Sequence, residues 1–339
     1  MKSHQPLNSF ERRVEEYRRI FSSRGLTQKN FDGLCARDAT LSPWSHDPIL
    51  SNLEVLVAEA LSTDPSTIGA VYHYLLWREL ASVLECVQKG ENPLPHPYSL
   101  STADCELLSK AHERLAPQLP EKLADTMQDI RSESYDRGSL LSDLAHPFVT
   151  KGTFRAFFNE VCGENIYFSY DEISPAPYVG ERDYSWQNIS SEPQDIVRYL
   201  RENPPCEGTR ILDLGCGSGG ALFPFALLSQ GLCEGVEIEL QWCQLAERVS
   251  QRIGRPDIKV HHQDLLQFDC SGRDIYYIYS PFREGRLLTT FVNRLSAQLT
   301  ERAEILAAAY PPLVKCLEEA TPFRVIAQYG ELCRLTYTR

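Results

Sequence analysis

Four glycines lie within six positions of the stretch RILDLGCGSGG, residues 210–220, directly after a short apolar run. Glycine loses more backbone entropy on folding than other residues, and it is used where φ is positive or where a ligand touches the backbone. Asp213 comes two residues before the first of these glycines. A carboxylate there repels a bare pyrophosphate and attracts a ligand with a cationic end. The stretch therefore predicts a ligand-binding loop.

Two more carboxylates follow at the ends of later apolar runs. Glu237 ends a run in GVEIE, ~20 residues past the glycines, where an acid can accept hydrogen bonds from both ribose hydroxyls. Asp264 follows the next run, in HHQDLLQF, and Glu239 is expected to face solvent. The neighbouring His261 and His262 have no third ligand at metal-binding spacing, so we expect structural or surface roles and no metal.

The elements that must position these residues alternate along the chain. Strand-like runs alternate with helical runs, which predicts a doubly wound, mostly parallel sheet covered on both faces. The chain ends in two strand-like runs joined at a glycine, which predict an antiparallel C-terminal hairpin and a sheet of seven strands. The predicted strands are 210–215, 233–239, 258–264, 274–280, 303–310, 323–330 and 331–339, and the helices between them include 221–230, 240–253 and 283–299.

The front of the chain is predicted to be all helical. Residues 1–150 form a helical domain that serves as a cap or binds a partner or substrate, with a first helix from the N-cap Ser9 to Gly25. Residues 151–190, rich in aromatic residues, proline and glycine, form a connector that can serve as a lid. The second domain, 191–339, starts at a helix with Ser191 as N-cap and Gln194 completing a capping box.

Composition excludes several classes of protein. The formal net charge of −12 disfavours general binding to nucleic acids or anionic membranes. Residues 208–339 hold 14 Lys and Arg against 15 Asp and Glu, so the acidity lies in the front part. Eleven cysteines without a CxxC pair indicate reduced thiols. Without a signal-like or membrane-spanning run, the expectation is a cytoplasmic protein with no membrane contact.

The string LDLGCGSG resembles motif I of the class I S-adenosylmethionine-dependent methyltransferases, and the resemblance extends over about residues 190–339. It implies S-adenosylmethionine as cofactor, with the acid at 213 near its ammonium end. It also implies that Asp264 and the backbone N–H of Leu265 face the adenine. The terminal hairpin supports this family over nicotinamide-binding domains, which generally lack it. The implied cofactor-binding residues are Asp213, Gly215, Cys216, Gly217, Gly219, Glu237, Ile238, Asp264 and Leu265.

The resemblance places the substrate-side motif after the fourth strand. Amine-methylating members often have Asn or Asp followed by Pro-Pro and an aromatic residue, whereas this chain has Ser280, Pro281 and Phe282. These three residues and Tyr279 are the substrate-side candidates. Arg283 and Arg286 are expected to face water at a helix start. A dedicated base is not required, and the tyrosines that could supply one are Tyr167, Tyr170, Tyr178, Tyr276, Tyr277 and Tyr279.

The acceptor of the methyl group stays open between a small metabolite, a protein side chain and RNA. GVEIELQWCQLAERV loosely resembles the non-SET histone lysine methyltransferases, and an acidic protein suits a basic substrate. The alternative function is a catalytically inactive cofactor-binding scaffold or sensor that acts through the helical domain.

Overall fold

The computed structural model describes most of the chain from residue 48 onward. The described residues are 14–15, 48–62, 64, 69–91, 100–116, 119–132, 134–146, 149–167, 193–279, 281–282 and 285–337. They divide into two compact units. One contains the residues up to Thr126 together with Asp143–Thr153, and the other contains Met127–Ser142 together with Phe154 onward.

The first unit is helical. Its helices pack through apolar faces made of residues such as Val57, Leu76 and Leu108, all fully buried. The third helix begins with a capping box in which Ser101 and Asp104 satisfy each other's backbone N–H groups. The helices of this part of the chain are α1 (Pro48–Ser62), α2 (Ala70–Gln88), α3 (Thr102–Leu115), α4 (Leu119–Arg131), α5 (Arg137–Leu144) and α6 (Lys151–Cys162).

The second unit holds the sheet, and its strands and helices alternate as predicted. Besides most of α5 and α6, its helices are α7 (Pro193–Glu202), α8 (Leu222–Leu228), α9 (Leu240–Arg252), α10 (Gly285–Ser296) and α11 (Pro311–Ala320). Its strands are β1 (Arg210–Leu214), β2 (Leu232–Glu237), β3 (Lys259–His262), β4 (Ile275–Ile278), β5 (Glu304–Ala308), β6 (Phe323–Tyr329) and β7 (Leu332–Tyr337).

The seven strands lie in the order β3-β2-β1-β4-β5-β7-β6. Strands β1 to β5 are parallel, β7 is antiparallel to β5, and β6 is antiparallel to β7. The order reverses at β1, because β2 and β4 flank it on opposite sides. This confirms the predicted doubly wound, mostly parallel sheet with a C-terminal antiparallel hairpin, preceded by helices.

Helices cover both faces of the sheet, as the buried apolar strands β4 and β5 require. On one face, Tyr276 and Ile278 of β4 join a core with Phe291 of α10 and Leu317 of α11. On the other face, the Tyr277 ring meets the Phe225 ring of α8 edge-on, with centroids 5.5 Å apart. All three β4 side chains are buried.

A polar network ties α7 to the hairpin side of the sheet. The Tyr199 hydroxyl donates to Glu304 of β5. Glu304 also accepts from Nε of Arg334 on β7, at 2.7 Å, and Arg334 donates to Asn203 at 2.6 Å. Asn203 in turn donates to the Tyr329 hydroxyl of β6 at 2.8 Å, so the network connects α7, β5, β6 and β7 and holds β7 between β5 and β6.

One stretch ahead of the predicted boundary at residue 150 groups with the sheet unit. The predicted connector starts with a regular helix, α6, and residues 127–142 belong to the sheet unit. Arg131 accounts for this, because its side chain donates to the carbonyls of Val161 at 2.7 Å and Glu160 at 3.0 Å. A contact between residues thirty positions apart leaves no periodic pattern in the sequence.

Several predicted features lie outside the described residues. The predicted N-caps Ser9 and Ser191 and the predicted helix stop at Gly25 lie there, as does the part of the predicted connector, 151–190, that follows residue 167. In the ranges given above, no helix combines the length and apolar character needed to cross a bilayer.

Candidate cofactor site

The glycine-rich loop leaves the carboxyl end of β1, the strand at which the strand order reverses. Gly215, Gly217 and Gly219 have φ values of 87°, 52° and 93°, in the left-handed region that favours glycine. The backbone N–H groups of Gly215 and Cys216 both donate to the carbonyl of Val236, at 2.9 and 3.0 Å. The loop is therefore bound to β2 and folds sharply over the sheet edge.

Three separate segments converge on Gly215. A Cβ atom added to this glycine would lie 3.7 Å from Cβ of Pro281 and 3.9 Å from Cδ1 of Leu265. Pro281 follows β4 and Leu265 follows β3, so the loops after β1, β3 and β4 meet at one edge of the sheet. This is the edge where open α/β sheets bind ligands.

Asp213 lies beneath the loop, near the end of β1. Its carboxyl group is buried. Its Oδ2 atom has no hydrogen-bond partner among the described residues. Burial, with a contribution from the negative charge of Glu237, raises the pKa of Asp213 to about 8. A buried carboxyl oxygen without a partner is costly unless a donor or cation reaches it.

Glu237 ends β2 and binds the loop directly. Its Oε2 accepts from the N–H of Gly217 at 2.9 Å, and its Oε1 accepts from the N–H groups of Ile238 and Glu239, both at 2.8 Å. Burial raises the pKa of Glu237, and these three backbone donors oppose that rise. Each carboxylate oxygen offers two lone pairs, so Oε2 can accept one more hydrogen bond.

Asp264 and Leu265 form the turn after β3. Oδ1 of Asp264 accepts from the N–H of Leu266 at 2.9 Å, and its carbonyl accepts from Gln267 and Phe268. Leu265 is buried against Gly215. The structure thus brings both residues to the loop edge that the sequence analysis assigned to the adenine.

The neighbouring histidines have structural contacts. Nε2 of His261 lies 3.3 Å from Oε2 of Glu234, which Arg273 also binds at 2.7 Å. Nε2 of His262 lies 3.0 Å from the carbonyl of Ile238. Among the described residues, no group of three or more His, Cys, Asp or Glu is arranged to hold a metal ion.

Cys216 forms part of the framework of the loop. Its N–H is bound to Val236, its carbonyl accepts from Gly219 at 2.8 Å, and its thiol packs against Gly235. Burial raises the pKa of the thiol well above its usual range, so the thiol stays protonated and is not a nucleophile. These contacts give Cys216 a supporting role in the site.

The substrate-side candidates line the same edge next to β4. Phe282 is buried against the Phe291 ring, with centroids 5.4 Å apart, while Pro281 is partly exposed beside Gly215. Tyr279 is partly exposed, and its hydroxyl donates to Oε2 of Glu331 at 3.4 Å. Ser280 and Arg283 lie outside the described residues, and Arg286 is exposed.

The tyrosines proposed as bases separate into different environments. The hydroxyl of Tyr276 donates to the carbonyl of Cys270, before β4, and therefore lies away from the carboxyl edge. Tyr277 is buried in the core. Tyr167 donates its hydroxyl to the carbonyl of Gly220 at 2.6 Å. Tyr170 and Tyr178 are outside the described residues.

Ser218, Ile166 and Glu331 are parts of the site that the sequence analysis missed. Oγ of Ser218 donates to the carbonyl of Ile166 at 2.7 Å. Ser218 belongs to the glycine-rich string, which was a usable signal. No local pattern singles out Ile166 or Glu331, because each reaches the site through tertiary contacts.

The hairpin identifies the fold. In the dinucleotide-binding order 3-2-1-4-5-6 the sixth strand follows the fifth directly. Here β7 is inserted between β5 and β6 and is antiparallel to both. The sheet unit has the class I methyltransferase fold. Its reversed strand occupies the position that the resemblance implied.

No protein-family model matches the chain, and no curated protein matches it significantly. Solved structures with similarity include an RNA methyltransferase from Salinibacter ruber in complex with S-adenosyl-L-homocysteine. It is 18% identical over 43% of this chain and 91% of that chain, with a TM-score of 0.36.

A TehB-like SAM-dependent methyltransferase from Corynebacterium glutamicum is 12% identical over 45% of this chain and 90% of its own, with a TM-score of 0.32. A geranyl diphosphate C-methyltransferase from Streptomyces coelicolor is 12% identical over 38% of this chain and 58% of its own, also with a TM-score of 0.32. These values are low, and the fold assignment therefore rests on the strand order.

Proposed function

We propose that this chain is an S-adenosylmethionine-dependent methyltransferase that acts on a small metabolite or a protein side chain. The observation that carries the proposal is Oδ2 of Asp213, a buried carboxyl oxygen without a partner among the described residues, beneath a loop of three left-handed glycines. A ligand with an ammonium group supplies the missing charge, and the glycines let it approach the backbone.

The residues at this edge fit that cofactor. Asp213 faces the ammonium end of the methionine portion, and Gly215, Gly217 and Gly219 leave room beside it. Glu237 has acceptor capacity for a ribose hydroxyl while it holds the loop. Asp264 and Leu265 form the adenine side, and Ile238 and Cys216 support the loop and strand end.

Bound S-adenosylmethionine supplies a methyl group activated by its sulfonium. The chain must then align the acceptor in line with that group and exclude water, so a strong base is not required. Pro281 and the buried Phe282 form an apolar wall beside Gly215. Tyr279 and Glu331 add a hydroxyl and a carboxylate next to that wall, and these groups orient the acceptor.

Two kinds of acceptor suit the chain. Residues 208–339 carry only −1 of the net charge of −12, so the negative charge lies in residues 1–207, which favours a basic protein substrate. The apolar wall with one hydroxyl and one carboxylate is equally typical of a small-molecule site.

The first experiment is calorimetric titration of the full chain with S-adenosyl-L-homocysteine, with NAD as a parallel control. We expect saturable binding of S-adenosyl-L-homocysteine alone. Binding of NAD alone, or of neither ligand, would contradict the proposal. Binding without any conversion of S-adenosylmethionine to S-adenosyl-L-homocysteine in cell lysate would favour a scaffold or sensor.

The acceptor class is tested by incubating the chain with tritiated S-adenosylmethionine and lysate. Label that precipitates with protein and is sensitive to protease identifies a protein acceptor. Label that stays only in the soluble small-molecule fraction identifies a metabolite. The Asp213→Asn variant is the matched control, because it keeps the shape of the side chain and removes its charge.

A further inference from the structure

The turn at the C-terminal end of α6 is bound to the glycine loop at two points. We call residues 160–167 the anchor turn. Its Ile166 carbonyl accepts from Oγ of Ser218 at 2.7 Å, and the Tyr167 hydroxyl donates to the Gly220 carbonyl at 2.6 Å. Ser218, Ile166 and Tyr167 are all buried. Both hydrogen bonds are therefore shielded from water, which strengthens them.

The anchor turn is itself held by the rest of the sheet unit. Two arginines bind its backbone, Arg131 at the Val161 and Glu160 carbonyls and Arg252 at the Gly163 carbonyl. Asn159, in the last turns of α6, accepts through Oδ1 from the Ile166 N–H at 2.8 Å. These contacts give the glycine loop a fixed support outside its own strand and helix.

The loop needs such a support because of its composition. Three residues with left-handed φ values within five positions give the chain many accessible conformations when nothing restrains it. Ordering these conformations at the moment of binding reduces affinity, and a loop ordered beforehand avoids that cost. Ser218 and Gly220, which the anchor turn holds, lie on either side of Gly219, the glycine with the largest φ of the loop.

We propose that Tyr167 and Ser218 are positioning residues that hold the glycine loop in its ligand-binding conformation. Neither acts on the reacting atoms. This inference rests on the proposed function, since its ligand is the cofactor. It gives Tyr167 a role as a donor to Gly220, in place of the role as a base considered from the sequence.

The test uses Tyr167→Phe and Ser218→Ala, which each remove one hydroxyl and keep the apolar packing. Titration of the full chain with S-adenosyl-L-homocysteine should give a Kd ~3- to 10-fold higher for each variant. The matched control is Tyr329→Phe, because the Tyr329 hydroxyl is also buried and accepts one hydrogen bond, from Asn203 at 2.8 Å, but belongs to β6. The control should keep the wild-type Kd.

Hydrogen exchange distinguishes positioning from general stability. In the ligand-free chain, the amides of residues 215–221 should exchange faster in Tyr167→Phe than in Tyr329→Phe at equal melting temperature. Saturation with ligand should remove the difference. An unchanged Kd in both loop variants, or an equal loss in the Tyr329→Phe control, would overturn the inference and leave the proposed function intact. If the wild-type chain does not bind S-adenosyl-L-homocysteine, the proposed function itself fails.

Discussion

The carboxylate of Glu237 accepts a hydrogen bond from the backbone N–H of Gly217 at 2.9 Å. The acid at the end of β2 thus fastens the middle of the glycine loop, twenty residues earlier in the chain. One oxygen serves the loop, and the other serves the start of the next helical segment through Ile238 and Glu239. Glu237 therefore supports the shape of the site in addition to its proposed contact with the ribose.

Replacement of Glu237 by alanine should weaken binding of S-adenosyl-L-homocysteine by ~1–3 kcal/mol, because it removes charged hydrogen bonds. The measurement is the calorimetric Kd at constant pH. Glu247→Ala is the control, since it removes an exposed carboxylate from α9 in the same unit. Equal Kd values for Glu237→Ala and the wild type would show that the strand end does not take part in binding.

Asp213→Asn should make the protein more stable at neutral pH and weaken its ligand binding. The pKa of Asp213 is about 8 in the folded chain, against 3.8 without perturbation. Between these values the folded chain keeps a proton that the unfolded chain releases, so this group lowers stability as pH rises from 3.8 to 8. The stability gain of the variant should grow over that range, by up to a few kcal/mol. Urea unfolding at several pH values measures it.

The same carboxyl group predicts proton release on binding. A cationic ligand favours the ionised form of Asp213, so binding near pH 7 should expel a proton and affinity should increase from pH 6 to 8. Titrations in buffers of different ionisation enthalpy count the protons. Asp213→Asn should bind ~10-fold more weakly or worse and show no such proton release. If the variant released the same number of protons on binding, the protons would come from a group other than Asp213.

Gly235→Ala should destabilise the sheet unit by ~1–3 kcal/mol through overpacking. The added Cβ would lie 2.6 Å from Sγ of Cys216 and 2.9 Å from its Cβ. Cys216→Ala in the same chain should restore part of the loss, since it removes the sulfur, and a double-mutant cycle measures this coupling. Gly285→Ala, whose added Cβ meets nothing within 4 Å, is the control. If the changes in unfolding free energy of Gly235→Ala and Cys216→Ala were strictly additive, the close packing of Gly235 against the Cys216 side chain would be contradicted.

Glu304→Ala should lower the free energy of unfolding by ~1–3 kcal/mol, because it leaves Tyr199 and Arg334 without their shared acceptor. Affinity for S-adenosyl-L-homocysteine should stay unchanged. Glu319→Ala removes a carboxylate that pairs with Lys315 at 3.7 Å on the exposed face of α11. Exposed pairs contribute little, so its effect should stay below ~1 kcal/mol. Comparable losses in both variants would contradict a specific role for the α7 network.

The sheet and the outline of the site could be predicted because their signals are local. The periodicity of apolar residues predicted the alternation of strands and helices, which the structure has. The glycine-rich run after β1 predicted a loop, and three of its glycines have left-handed φ values. The boundaries of the helices were harder to predict from the sequence. Helix α3, for example, begins at Thr102 because Ser101 caps it through Asp104. The helix α6 was missed inside a segment whose proline and glycine content suggested a connector.

By itself, the sequence determined the order of strands and helices, the reversed strand at the C-terminus and the acids at three strand ends, since each depends on residues close together in the chain. Only the tertiary structure decided that Glu237 binds Gly217, that Tyr167 and Ser218 join the anchor turn to the loop, and that Glu331 reaches Tyr279. These are hydrogen bonds between side chains and groups twenty or more residues apart. Such contacts follow from how the elements pack, and packing leaves no repeating pattern in the order of the residues.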